Sequence, residues 1–414
     1  MAGLAVVTQA PVASAQSADD MDRDRDQSVR TRTNPDYDAV GIPAGGFRFY
    51  PRLGVSAEWN DNVFASTVNE VDDIAYTASV DGRLVSDWNT HFLAFQGSVQ
   101  DTTYQDQSED LETVWSLGGE GRIDVQRGFT INGDAAYNDT YEPRGSNDPS
   151  GLAEPIQYTE QRAGVEVARE FNRLRVAGRV RYNMQDFEDG ILVNLTPVDQ
   201  DFRDRTVMEY GARADYAVSP DTAVFASYSY RTHDYDTETL GNRDFQRQRA
   251  LVGAAFDVTD IVRGEIGAGY TWAEYDVFTG VEDPNGFTIS GALDWFVTQL
   301  TTFNFTVERD IGDSGDPGAP SRILTDVAVR VDHELYRNVI VFARGGWTED
   351  DYNGAPPFDR VDDTVSGAVG CDWLLNRTAA IQARFTYLER DSEGTTAARD
   401  YEQNRFTLGF TLRR

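Results

Sequence analysis

The sequence predicts an all-β chain: a transmembrane, antiparallel, up-and-down β-barrel of about eighteen strands behind a short disordered N-terminal arm. Three observations predict it. From Phe47 onward, apolar and polar residues alternate in runs of roughly ten to fifteen residues, and a period of two is the strand signal. The breaks between runs alternate between short turns and longer loops, so all short turns share one end of the sheet. One face of each run carries Arg, Asp, Glu, Gln and Ser along its whole length, while the other carries aliphatic residues with aromatics near the ends. An apolar outside and a wet inside are what a membrane barrel needs.

Residues 1–15 form the first element. Small and apolar, they end Ala13-Ser14-Ala15 before Gln16, the form of a signal-peptidase site. We read them as a signal-peptide remnant and Gln16 as the mature start of an exported protein. Residues 16–46 are charged, contain Pro35 and Pro43 and show no apolar periodicity, which predicts a disordered periplasmic arm. Asp20, Asp22, Asp24 and Asp26 alternate there without the glycine and distal Glu of a calcium loop. A solvated acidic tail is the plain reading.

The barrel follows as residues 47–414. In GFTISGALDWFV, Phe287, Ile289, Gly291, Leu293 and Trp295 share one face, and Thr288, Ser290, Ala292 and Asp294 the other. In SRILTDVAVRVDHE, Ile323, Thr325, Val327, Val329 and Val331 oppose Arg322, Asp326, Arg330, Asp332 and Glu334. Short turns are expected near Asp87–Asn89, Gln126–Gly128, Asn172–Arg173, Ser219–Asp221, Thr259–Ile261, Thr298–Leu300, Arg337–Asn338 and Asn376–Arg377. Longer acidic loops fall between them, as at 143–155, 312–320 and 353–359.

Composition narrows the class. The formal net charge is -32, which argues against a nucleic-acid partner, because phosphate binding needs a basic surface. No apolar run reaches the roughly 18 residues of a transmembrane helix. Mean hydropathy of -0.50 looks soluble, yet alternation hides a fully apolar face inside a polar average. Every positive side chain is arginine; a genomic base bias explains that plainly. A single cysteine, Cys371, excludes an internal disulfide, and we expect it to face lipid. A soluble sheet assembly is the competing fold. The runs exceed the ~9–11 residues that cross a bilayer as tilted strands, whereas globular strands average about 5–6. Trp59, Phe64, Trp88, Tyr104, Phe129, Tyr141, Tyr158, Tyr216, Trp272, Trp295, Trp347 and Trp373 sit near strand ends and are expected to form two interfacial girdles.

On this reading LRVAGRVRYN (174–183) sends Arg175, Arg179 and Arg181 into the lumen and Leu174, Val176, Val180 and Tyr182 toward lipid. The other expected lumen arginines are Arg122, Arg162, Arg213, Arg247, Arg249, Arg263, Arg330, Arg344 and Arg384. The expected lumen acids are Glu120, Glu160, Glu166, Glu209, Asp215, Glu265, Asp294, Glu308, Asp326 and Asp332. These charges either pair across strands and fill the interior, or line a path for an anionic or hydroxyl-rich solute.

The segment PDYDAVGIPAGGFRFYPRLGVSAEWNDNVFAS (35–66) resembles the start of the Putative beta-barrel porin 2 family of proteobacterial outer-membrane proteins. The matching residues are Pro35, Asp36, Tyr37, Asp38, Gly41, Gly46, Phe47, Pro51, Asp61, Asn62, Val63 and Phe64. Beyond it, the resemblance lies in length and strand rhythm. Members are often associated with exopolysaccharide production, so the resemblance implies a Gram-negative outer-membrane conduit for a polysaccharide. It implies as partners outer-membrane lipid and lipopolysaccharide, periplasmic export machinery and the barrel assembly machinery. A general diffusion porin is the second reading, and a structural or adhesive barrel working through acidic loops the third. The chain departs from outer-membrane habit in ending RFTLGFTLRR, with two arginines after the last alternating residue, so Phe410 stands in for a terminal aromatic or the overhang is tolerated.

Catalysis and cofactors are not expected. There are three histidines, His91, His233 and His333, and no His/Cys metal cluster. His233 lies beside Asp234 and Asp236, a neighbourhood that chance supplies in a chain with 69 acids.

Overall fold

The computed structural model describes residues 28–106, 112–142, 144–146, 154–191, 196–237, 243–258, 261–276, 282–316, 318–354, 359–394 and 400–414. The expected signal remnant and the start of the arm fall outside the described residues. Eighteen antiparallel strands make the wall: β1 Phe47–Asn60, β2 Asp73–Ser86, β3 Phe92–Tyr104, β4 Glu112–Gln126, β5 Phe129–Tyr141, β6 Gln157–Phe171, β7 Leu174–Phe187, β8 Arg205–Ser219 and β9 Thr222–Tyr235. They continue as β10 Phe245–Val258, β11 Val262–Tyr275, β12 Asn285–Thr298, β13 Thr301–Asp313, β14 Ser321–Tyr336, β15 Val339–Asn353, β16 Arg360–Leu374, β17 Ala379–Gly394 and β18 Tyr401–Arg413. Each pairs with its chain neighbours, and β18 pairs with β1 from Arg52↔Arg413 to Asn60↔Arg405, so the sheet closes without an edge.

Strands of this length, tilted as barrel strands are, rise about 35–40 Å, enough to cross the hydrocarbon and both interfaces. Seven of the eight expected short turns fall at one end, and Thr259 and Asp260 of the eighth lie outside the described residues. Register shifts mark four of them, after Asp124, Ala217, Phe296 and Glu334, where an extra residue helps a tight hairpin follow the twist. Gly128 (φ 70°) and Asn172 (φ 59°) supply left-handed positions in two such turns.

Register carries each face from strand to strand. Arg181, Glu209, Arg231 and Arg247 stand side by side across β7 to β10. One residue along, Tyr182, Met208, Thr232 and Gln246 do the same on the other face. Contacts between strands that are not neighbours identify the concave side. Arg213 on β8 reaches Glu265 on β11, which only a curled wall allows. The opposite face is apolar: Leu53, Val80, Leu117, Val165, Val252 and Val369 all stand more than half exposed on it. A continuous aliphatic band of this extent requires an apolar solvent.

Trp59, Trp88, Tyr216, Trp295, Trp347 and Trp373 stand exposed near the ends, as a girdle would. Four expected girdle members do not. Tyr104 stands opposite Ala75 and is buried with Val63 and Tyr141 in a cluster against which Phe64 packs. Tyr158 stacks on Phe187 at 4.9 Å. Tyr104 and Tyr158 have inward register, so at their strand ends they cover the interior instead of meeting the lipid interface.

Residues 28–46 lie across the short-turn mouth. The Val29 N–H donates to Thr302 Oγ1 at 3.1 Å, and Val29 is buried. Arg32 donates to the Gln299 carbonyl and pairs with Glu334. Asn34 Nδ2 donates to the Arg337 carbonyl, Arg377 to that of Pro35, and Arg413 to that of Tyr37. The arm then turns through Gly45 (φ 65°) and pairs Ile42–Ala44 against the start of β1.

Candidate functional site in the barrel lumen

The lumen is built on the inward rows of the wall. From β6 to β13 these rows alternate guanidinium and carboxylate groups. Glu209 is the hub: its carboxylate lies 2.9 Å from Arg179 and 3.9 Å from Arg181, and accepts from Arg231. Arg175 bridges Glu166 at 3.3 Å and Asp215 at 3.9 Å. Arg213 binds Asp215 at 2.7 Å and makes a two-pronged contact with Glu265, its plane lying 3.9 Å over the Phe225 ring. Arg249 pairs with Glu308 at 2.8 Å, and Arg247 with Asp310. The planar fork of arginine suits such two-oxygen contacts, and the ring beneath fixes its plane. Between them is a cavity of about 460 Å³ lined by Arg179, Arg181, Arg231, Arg249 and Glu308, among others.

The remaining expected lumen residues also lie on inward rows, in separate groups. Arg122 pairs with Asp124, Glu120 with Arg83, and Arg162 with Glu160. Arg263 pairs with Asp257, while Asp294 accepts from Asn304. Arg330 grips Asp332 at 2.8 Å and lies 4.2 Å over Phe342, with Arg384 5.4 Å from the same ring. Arg344 stands opposite Arg330, and Asp326 accepts from Thr348. The main constellation is thus on one side of the lumen, and Arg122, Arg162, Arg330 and Arg384 are not part of it.

Sequence reasoning missed several members. Arg231 and His233 extend the inward alternation of Ser227 and Ser229 and could have been found by carrying the period to the strand end. Asp310 continues the inward row of Glu308 and could have been found in the same way, although its partner Arg247 could not; Asp313 could not, because its partners come from distant strands. Asp313 on β13 lies 3.3 Å from Arg205 on β8 and 2.6 Å from His233 Nδ1 on β9. The carboxylate at His233 is therefore Asp313, and the sequence neighbours Asp234 and Asp236 are not its partners. The His233 ring stacks on Phe245 with centroids 4.0 Å apart, and only 1% of it is exposed. His91 accepts from the Asp124 N–H, and His333 meets Thr301, both at the short-turn end and far from His233.

Loops cover the long-loop mouth. Arg203 is buried, pairs with Glu142 and lies 4.0 Å over Phe187. Arg243 donates to the Ser314 carbonyl at 2.6 Å, and Arg360 holds Asp316 and Asp362 at 3.2 and 2.9 Å. Tyr401 donates to the Gly145 carbonyl, and Arg390 to that of Ser146. The described parts of 143–155 and 186–204 thus fold inward. For a cation, Asp189, Asp199 and Asp201 bring their carboxylates within 4.8 Å of one another. All three are exposed, and an acidic loop gathers such groups without needing an ion.

The family model described as Putative beta-barrel porin 2 matches residues 34–414. No curated protein matches the chain. Among solved structures, the chain is similar to the outer membrane protein OpdK of Pseudomonas aeruginosa at 12% identity and a TM-score of 0.46, over 88% of this chain and 99% of that one. It is similar to OccAB3 of Acinetobacter baumannii at 11% identity and a TM-score of 0.45, over 88% and 99%. It is also similar to a mutant of the ferric enterobactin receptor PfeA of Pseudomonas aeruginosa, at 8% identity and a TM-score of 0.45, over 88% and 80%.

Proposed function

This chain belongs to the Putative beta-barrel porin 2 family, and we propose on that premise that it is a passive conduit for an exported polysaccharide across the Gram-negative outer membrane. It is a porin-like outer-membrane β-barrel, with short turns toward the periplasm and long loops outside. The observation that carries the reading is the lining of the lumen. A wall of eighteen strands encloses paired arginine and carboxylate groups that already share their hydrogen bonds around Glu209. Such a network can exchange partners with sugar hydroxyls or sugar carboxylates at little net cost, because each bond lost is replaced by one of the same kind. Passage needs no bond chemistry; the periplasmic machinery gives direction.

The test is a deletion strain, scored for surface polymer and for polymer held in the periplasm. Lost surface polymer with periplasmic build-up supports export, and unchanged polymer sinks it. One observation favours a second reading, a general diffusion porin for small solutes. Arg205 and Asp313 meet across five strands, and the cavity beneath is the size of a small molecule. Conductance of the purified barrel in a planar bilayer, with unchanged polysaccharide in the deletion strain, would select it.

A further inference from the structure

The outer surface of the barrel sorts its charges by end. Toward the long loops, outward positions carry carboxylates, among them Asp101, Asp139, Glu349, Asp363 and Asp391. Arg309, on the same face, is paired with Glu349 at 3.7 Å. At the periplasmic end the outward charge is arginine. Arg169 on β6 stands opposite Phe129 on β5 and Val176 on β7. Val176 and Phe171 are exposed on that surface, so Arg169 shares the lipid-facing side.

The surroundings of Arg169 look built. Its guanidinium carbon lies 5.6 Å from the ring centroids of both Phe129 and Phe171. Its Nη1 is shielded, and no acceptor within the protein reaches it. No carboxylate pairs with it among the described residues, although the chain has 69 acids. Glu170 is next in sequence but stands opposite Arg175 on the inward row. The two turns that flank it, β4–β5 and β6–β7, carry Arg127 and Arg173, both exposed. A bond from the Glu170 N–H to the Gly128 carbonyl, 2.7 Å, ties β6 to the first of these turns.

An unpaired guanidinium on a lipid-facing wall is costly unless it reaches the interface and finds an acceptor there. Arg169 is two residues from the end of its strand, so the acceptor at its depth is a headgroup phosphate. Two aromatic rings hold the guanidinium plane before the ligand arrives, which lowers the ordering cost of binding. We propose that Arg169, held between Phe129 and Phe171 and flanked by Arg127 and Arg173, binds the phosphate of an anionic glycerophospholipid in the periplasmic leaflet. A net negative headgroup is preferred over a zwitterionic one, because the choline or ethanolamine cation would meet the flanking arginines. The proposal concerns the outer surface alone and stands apart from what the lumen carries.

The test compares the full chain with Arg169→Gln and Arg169→Lys in nanodiscs of phosphatidylcholine with and without phosphatidylglycerol. Native mass spectrometry counts the lipids retained on ejection, and heat-modifiable gel migration verifies that each variant is folded. The expected result is preferential retention of phosphatidylglycerol by the wild type, falling by about tenfold in Arg169→Gln, the ratio that one charge-assisted contact supplies. Arg169→Lys should keep part of the preference, because it keeps the charge and loses the planar stacking. Equal retention by the wild type and the Gln variant overturns the proposal. So does loss of the phosphatidylglycerol preference on adding millimolar inorganic phosphate, which would mark a site for the free ion.

Discussion

Glu209→Gln is the sharpest probe of the lumen. The Glu209 side chain is 4% exposed, and three guanidinium groups converge on it. Gln keeps the shape and removes the charge. At 2.9 Å and an effective dielectric constant of about 20, the gross attraction to Arg179 alone is roughly 6 kcal/mol. Desolvation offsets much of that, and removing one partner of a buried pair costs about 3–5 kcal/mol. The three arginines are each about a third or more exposed, at 34%, 31% and 44%, so the loss should sit near the lower end, about 3 kcal/mol. Urea unfolding in detergent, followed by tryptophan fluorescence, measures it. Glu209→Gln combined with Arg231→Gln should be less destabilised than the sum of the two single changes by at least about 1 kcal/mol, since the pair is removed together. In a salt gradient, the reversal potential of Glu209→Gln should also move toward anion preference. An unfolding free energy within about 0.5 kcal/mol of wild type, with additive double-mutant behaviour, would refute the view that this cluster braces the wall.

Three further outcomes are expected. Burial pushes the Asp204 carboxyl up to about 6; a hydrogen bond from the Phe187 N–H opposes the rise, and the negative charges of Asp186, Asp201 and Asp236 add to it. A raised carboxyl favours the folded loop when protonated, so its contribution is full below about 3.8 and lost as pH rises through about 6; protease cleavage of the 187–205 loop should be slower at pH 5 than at pH 7, and Asp204→Asn should abolish the difference. Gly269→Val should abolish the folded, heat-modifiable band, because a Cβ there meets the Ala250 carbonyl across the β10–β11 pair, at a cost of at least about 3 kcal/mol, whereas Gly286→Ala meets nothing and should fold normally. Replacing Arg32 and Asn34 by alanine removes the contacts to Gln299, Glu334 and Arg337, and single-channel conductance should rise if the arm narrows the short-turn mouth; an unchanged conductance would place the arm clear of the path.

Alternation alone located the wall. The inward placement of Arg175, Arg179 and Arg181 could be read from LRVAGRVRYN, because a strand leaves each side chain only two directions. The turn rhythm gave the strand number and the common end of the short turns for the same local reason. Cys371, on the outward row beside Trp373, was legible in that way too. Pairing was not. Nothing near His233 in the chain points to Asp313, since the contact exists only once β8 to β13 have curled toward each other. Tyr104 and Tyr158 were expected at the girdle from their place near strand ends, although parity alone puts Tyr158 on the inward row of Glu160 and Arg162. The path of residues 28–46 across the mouth depends on hydrogen bonds with turns some 270 to 340 positions away. Local sterics make the face of a strand residue a property of sequence parity, so the sequence by itself determined the strand pattern and the face of a residue within a regular strand. Which charges meet, and which mouth each loop and arm covers, depends on curvature and closure, and only the tertiary structure decided them.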